Sequence, residues 1–243
     1  MATEPHALSV GGIAVEVHRK AVKNLHLGVY PPDGRVRVAA PLAMSDDAVR
    51  LAVVGRLAWV KRMRAQFAAQ PRQPVREMVA GESHYFRGRR RRLSVVHHDR
   101  APAVSLRGRA TIELRVRPEA TAADARAALA RWHRAELRKL LPPLLEAWQA
   151  KYGVAVASWG IRRMKTRWGT CHVAARRVWF NLELVKKPPR CLEYVVAHEL
   201  AHLVERNHTP RFAALLDEHL PGWRATRDAL NAEPLGHDEW AGK

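Results

Sequence analysis

The chain has 243 residues, 47% of them hydrophobic and 27% charged, with 42 Lys and Arg against 23 Asp and Glu. A chain of this length removes roughly 70–75% of its unfolded surface from water and needs no staples; the composition excludes disordered, collagen-like and mini-disulfide chains. The net charge of +19 favours anionic partners such as nucleic acids and nucleotides, although an arginine-rich composition gives the same sum without such a role.

Cys171 and Cys191 are the only cysteines, too few for a secreted disulfide framework or a four-thiolate zinc site. The N-terminus does not read as a signal peptide, and no stretch approaches the roughly 18 apolar residues of a membrane helix. The expectation is a soluble, cytoplasmic protein with no membrane partner.

In chain order, residues 13–17, 25–29 and 36–40 alternate as strands, with turn chemistry at Pro31–Gly34 that predicts a hairpin. Ser45 is an N-cap, Asp46 and Asp47 suit a first helical turn, and apolar residues at Val49, Val53, Leu57, Val60 and Met63 predict one amphipathic helix over 46–70, closed by Pro71 and Pro74. Strands are expected around 82–86, 90–97 and 111–117. Thr121 and Asp124 then open a helix to Tyr152, which Pro142 and Pro143 should bend or break. Short strands near 154–161 and 177–182 precede a helix started by Pro188 and Pro189. No sequence repeat is visible. The predicted fold is α+β: a β-rich region with one long helix over 1–118, packed on a C-terminal helix-sheet-helix half over 119–243.

The chemistry is concentrated at His198-Glu199-Leu-Ala-His202. Helix residues four apart share a face with Cβ atoms about 5–6 Å apart, so two imidazoles can converge on one zinc ion. Glu199, one step round, can accept a proton from a metal-bound water without ligating. A catalytic zinc takes a third protein ligand and keeps one position open. His208 can serve if the helix stops before it, and Asn207 as a left-handed terminator, followed by Thr209-Pro210 as the next helix start, supplies that stop. Glu205, Asp217, Glu218 and His219 are the alternatives, and Asp217 and Glu218 could instead orient a ligating imidazole.

Arg162 to Cys171, Asn181-Leu-Glu-Leu184, Tyr194 to His202 and Asn207-His208 with Phe212 resemble the YgjP-like zinc metallopeptidase domain, related to SprT and WSS1. Ala40-Pro41, Trp59-Val60 and Gly81–Gly88 fit the same pattern, so the resemblance spans roughly 12–230 and is most specific from Trp168 to Phe212. It implies a zincin-like C-terminal half over 119–243 that carries the HExxH helix, with Zn2+ held by His198, His202 and His208 and Glu199 as catalytic acid/base. Thr170 and Thr209 stand where the family more often has Ser, and Ala213 where a Trp commonly follows the Phe. Related domains are associated with proteolysis, in some branches of proteins crosslinked to DNA, and nucleotide pyrophosphate hydrolysis is attributed to the YgjP-like branch.

Between Arg162 and Arg190 lie nine basic residues and one acid, interleaved with Trp168 and Trp179 and preceded by Trp159. Such a block can concentrate anionic substrates beside a hydrolytic centre, or it can be a solvated strand face over core tryptophans. Arg167, Arg163 and Lys165 are the candidate substrate or anion ligands. Arg87 with Arg89–Arg92 reads as an exposed strand edge, where charge blocks aggregation. The expectation is therefore a zinc-dependent metallopeptidase acting on a peptide or protein, DNA-associated in some branches of the family. The alternatives are a metal-dependent nucleoside triphosphate pyrophosphohydrolase and a basic nucleic-acid-binding protein with a structural metal. The sequence does not fix the oligomeric state.

Overall fold

A computed structural model describes residues 5–30, 33–69, 76–164 and 166–232. They fall into two compact units that divide between Pro74 and Val75. The first holds strands β1 (His6–Val10), β2 (Ile13–Lys20), β3 (His26–Tyr30) and β4 (Arg35–Pro41), then helices α1 (Asp46–Val54) and α2 (Leu57–Ala69). The sheet order is β1-β2-β4-β3, with β2 and β4 parallel and both edge strands antiparallel to their neighbours. Val15, Val17, Val36 and Val38 point from alternate strand positions onto Val49, Val53 and Val60, as period-two and helical spacing require. The 25–29 and 36–40 strands pair as antiparallel neighbours; Pro31 and Pro32 of the expected turn lie outside the described residues, as do Pro71 and Pro74.

The Ser45 cap forms, its hydroxyl accepting from the Ala48 N–H at 3.2 Å. The single helix expected over 46–70 is two helices. The turn at Gly55-Arg56 interrupts it, glycine being among the weakest helix formers, and Leu57 reaches the β1–β2 turn, where a Cβ on Gly11 would meet it at 2.9 Å.

The second unit opens with β5 (Ser83–Phe86), β6 (Arg89–His97), β7 (Ala103–Arg107) and β8 (Thr111–Val116). Their order, β5-β6-β8-β7, repeats that of the first sheet, with β6 and β8 parallel and the outer pairs antiparallel. Both sheets begin with a two-residue hairpin whose residues have positive φ: Gly11 and Gly12 at 56° and 75°, Arg87 and Gly88 at 51° and 75°. Such turns match the twist of the strands they join. The repeat absent from the sequence is thus present in the topology. Because β6 is interior, the arginine run is no strand edge: Arg91 turns inward, donating to the Arg109 carbonyl at 2.9 Å with its guanidinium over Phe86.

Helix α3 (Ala122–Tyr152) follows, with the Thr121–Asp124 capping box formed at its start and Gly153 closing it at φ 63°. Pro142 and Pro143 do not break it. Both are exposed, so the carbonyls they leave unbonded face water instead of the core. Leu137, Leu141, Leu145 and Trp148 form its buried stripe.

The remaining elements are β9 (Ser158–Arg162), β10 (Gly169–His172) and β11 (Arg177–Asn181), a 3-10 turn at Leu182–Lys186, and helices α4 (Pro189–Ala201), α5 (Pro210–His219) and α6 (Trp223–Ala232). They form a second sheet ordered β10-β11-β9, β9 parallel and β10 antiparallel to β11. One core joins Leu93, Ile112 and Leu114 of the first sheet to Leu137 and Leu141 of α3 and to Val196 and Leu200 of α4. That shared core is why the compact units part near residue 74 and not at the expected 118/119 boundary. No helix among the described residues is long and apolar enough to cross a membrane.

Candidate metal centre

His198 and Glu199 sit in the last turn of α4, and His202 caps it. The helix stops earlier than the sequence suggests. Leu203 and Val204 N–H groups bond to the Leu200 and Ala201 carbonyls, and Asn207 is not among the positive-φ residues. The tight turn at 202–204, not a left-handed Asn, reverses the chain and brings His208 back. Thr209 then caps α5, accepting from the Phe212 N–H at 3.3 Å, with Pro210 in the first turn as expected.

The result is one cluster. The ligand nitrogens of His198, His202 and His208 all lie within 4.8 Å of one another, the only such group among the described residues. Nε2 of His208 is 3.1 Å from Nε2 of His198; two nitrogens each about 2.0–2.1 Å from a tetrahedral zinc stand only slightly farther apart. The other ring nitrogens of His198 and His202 are occupied. Nδ1–H of His202 donates to the Arg206 carbonyl at 3.0 Å. With Nε2 of His198 facing the cluster, its Nδ1–H donates to the Tyr194 hydroxyl at 3.3 Å. Phe212 lies 4.8–5.0 Å, centroid to centroid, from all three imidazoles and forms an apolar floor.

The electrostatics suit metal ligands. Burial, then the neighbouring imidazoles, push His198 down to about 3, and burial with His208 lowers His202; a ligating imidazole must be neutral. Burial pushes Glu199 up to about 8, opposed by the Arg167 guanidinium. Burial likewise raises Tyr194 to about 12 and, with the Glu199 charge, Cys171 to about 11, so both keep their protons.

Several contributors were not singled out for a role in the sequence. Gly169 opens β10 directly against Glu199, and a Cβ there would lie 2.5 Å from its Oε1. Asn181, fully buried, spends its amide on the loop before β10: Nδ2 donates to the Met164 and Arg167 carbonyls at 2.9 and 2.8 Å, while Oδ1 accepts from Met164 and Glu183 N–H groups. Trp223 of α6 stacks on Tyr194 at 6.1 Å and donates to Asp217 at 2.9 Å. Asp217 therefore anchors that indole and does not join the metal group; His219 packs edge-on to Tyr152 beside Glu218. The only advance sign of these roles was that Gly169 and Asn181 fall in the short motifs around them.

The histidines and Glu199 line a cleft of about 1200 Å3 whose wall includes β10, the 206–209 turn, Phe212 and α6. The basic block divides. Arg167 lines this cleft, whereas Arg163 and Lys186 approach buried Glu183 at 3.9 and 2.7 Å, Arg162 covers Trp179, and Arg176 donates to the Ala155 carbonyl. Arg163 is thus not brought to the metal group, and Lys165 lies outside the described residues.

Among curated proteins none matches the chain. The crystal structure of the metallopeptidase zymogen abylysin of Pyrococcus abyssi is similar over 36% of this chain and 89% of its own, at 20% identity and a TM-score of 0.34, a partial likeness on which nothing further rests. The family model of the YgjP-like metallopeptidase domain matches residues 23–233, a span that includes every residue of the histidine cluster and its cleft, and the chain belongs to that family of metallopeptidases.

Proposed function

We propose that this metallopeptidase is a zinc-dependent hydrolase of the cytoplasm, with His198, His202 and His208 as the ligands and Glu199 as general base and acid. The observation that carries the reading is a buried carboxyl beside three clustered imidazoles at the wall of an open cleft. Zinc held there would supply Lewis-acid polarisation of a carbonyl and a lowered water pKa. Glu199 takes the proton of the attacking water and returns it to the leaving amine. Gly169 leaves room for that carboxyl, Tyr194 and the Arg206 carbonyl fix two imidazoles, and Phe212 keeps water from the back of the site. A chain with only two cysteines suits a reducing compartment.

The sheet supports a peptide as substrate. β10 is an edge strand lining the cleft. The Asn181 N–H bonds to the Trp168 carbonyl at 2.9 Å, so by antiparallel alternation Thr170 and His172 also face β11, and the N–H and C=O groups of Gly169 and Cys171 point to the open edge. An extended peptide can add there as a further strand. Cleft-lining arginines favour a second reading, hydrolysis of a nucleoside triphosphate. A structural-metal, nucleic-acid-binding role fits less well, since structural zinc sites are closed by four ligands.

Zinc-loaded protein is to be offered an unfolded protein and nucleoside triphosphates, with Glu199→Gln as control. Peptide release that falls by about 10²-fold or more in the variant, with zinc stoichiometry kept, is expected. Pyrophosphate release without peptide release selects the second reading, and full turnover by the zinc-loaded variant overturns both.

A further inference from the structure

Four arginines from three separate segments line the metal cleft: Arg167 before β10, Arg206 in the turn that carries His208, and Arg224 and Arg227 on α6. Among the described residues the only acidic one lining it is Glu199, which is buried. Arg224 and Arg227 are partly neutralised, the first by Asp217 (Nη2 to Oδ2 at 3.0 Å) and the second by Asp228 at 2.8 Å. Their guanidiniums are held over Trp223 at 4.6 and 5.2 Å from its ring centroid. Arg167 and Arg206 form no salt bridge among the described residues, although the Arg167 charge is felt at buried Glu199, and both are exposed. Their backbones are fixed: the Arg167 carbonyl by Asn181, the Arg206 carbonyl by His202. Two exposed cations on anchored backbone line the cleft that holds the reacting group, and a guanidinium is built for bidentate pairing with a carboxylate.

We infer that this cleft selects acidic peptide segments, with Asp or Glu side chains near the scissile bond received by Arg167 and Arg206, and with Arg224 and Arg227 extending the positive wall. The inference rests on the peptidase reading above and names its substrate class. A peptide lying along β10 advances about 3.3 Å per residue, so residues within about two positions of the scissile bond fall within reach of an arginine side chain. Lys or Arg at those positions meets like charge, which adds exclusion to attraction.

Matched fluorogenic peptides with Asp, Gln or Lys at the positions flanking one cleavable bond test this. The expected order of kcat/KM is Asp, then Gln, then Lys, with Asp over Lys by about tenfold or more at low salt and a gap that narrows as salt screens it. The Arg167→Glu, Arg206→Glu double variant, checked for zinc content and melting temperature, is expected to reverse the order. No preference in the unaltered protein, or an order that survives in a zinc-loaded double variant, overturns the inference; should the variant lose zinc, the unaltered protein's order and its salt dependence decide. If no peptide is cleaved, the peptidase reading fails separately. Binding of the same three peptides to Glu199→Gln, followed by fluorescence anisotropy, then decides acid selection: tighter binding of the Asp peptide supports it, and equal binding overturns it. Cleavage of nucleoside triphosphates with no acidic-peptide binding overturns it as well.

Discussion

The two four-stranded sheets share strand order, strand directions and a two-residue opening hairpin, yet only one is tied to chemistry. In the first unit the sheet closes its core with two short helices, and the β1–β2 turn meets nothing near Gly12. In the second, the matching turn is built into the catalytic half. The Arg87 and Gly88 N–H groups donate to the Val185 and Lys186 carbonyls at 2.8 and 3.0 Å, and a Cβ on Gly88 would sit 2.9 Å from the Cα of Pro188, the residue that starts the metal helix. The 31-residue α3 then shares its buried stripe between this sheet and α4. One topology thus serves as a closed module and as a buttress, and what distinguishes them is which backbone groups and apolar faces are left for a neighbour.

The sharpest way to break this contrast is at the site. Gly169→Ala is expected to cut peptide hydrolysis by about 10²-fold or more, because displacing Glu199 by about 1 Å is enough, while zinc content by metal analysis stays whole. Next is a matched pair across the repeat. Gly12→Ala and Gly88→Ala impose the same left-handed strain, about 1–2 kcal/mol, but Gly88→Ala also forces the Pro188 backbone and should cost about 1–3 kcal/mol more. Urea unfolding followed by a probe in each unit reads both, and equal costs would dissolve the distinction between the turns. Tyr194→Phe removes the hydroxyl that receives the His198 Nδ1–H and is expected to weaken zinc binding by about 10- to 100-fold in chelator competition.

The smallest effect is one of pH. His133 is buried between Phe86 and Trp132, and burial holds it well below 6.5; His84 is lowered for the same reason. The unfolded chain therefore binds protons that the folded unit excludes. Their stability contribution is present above pH 6.5 and is lost as pH falls below it, at up to about 1.4 kcal/mol per pH unit for each histidine. The first unit has no buried histidine among its described residues, so its melting temperature should move less between pH 7 and 5.5. A His133→Phe variant should flatten the response of the second unit.

Much of this molecule is local and so was legible. Ser45, Thr121 with Asp124, and Thr209-Pro210 cap the helices they were expected to cap, because a cap is decided within four residues. Strands β1, β7 and β10 were not anticipated. β10 is four residues long and starts with glycine, with no period to detect, and it becomes a strand through pairing with β11.

By itself the sequence determined the chemistry that depends on covalent spacing: the facing pair His198 and His202, the adjacent Glu199, and a third histidine released by a helix end. Only the tertiary structure decided where the units divide, that the two sheets repeat, that Gly169 and Asn181 make room and order for the site, and that Arg167 turns to the cleft while Arg163 turns to Glu183. Those outcomes depend on which distant surfaces share a core and which buried polar groups find partners, and contacts between residues far apart in the chain leave no period in it.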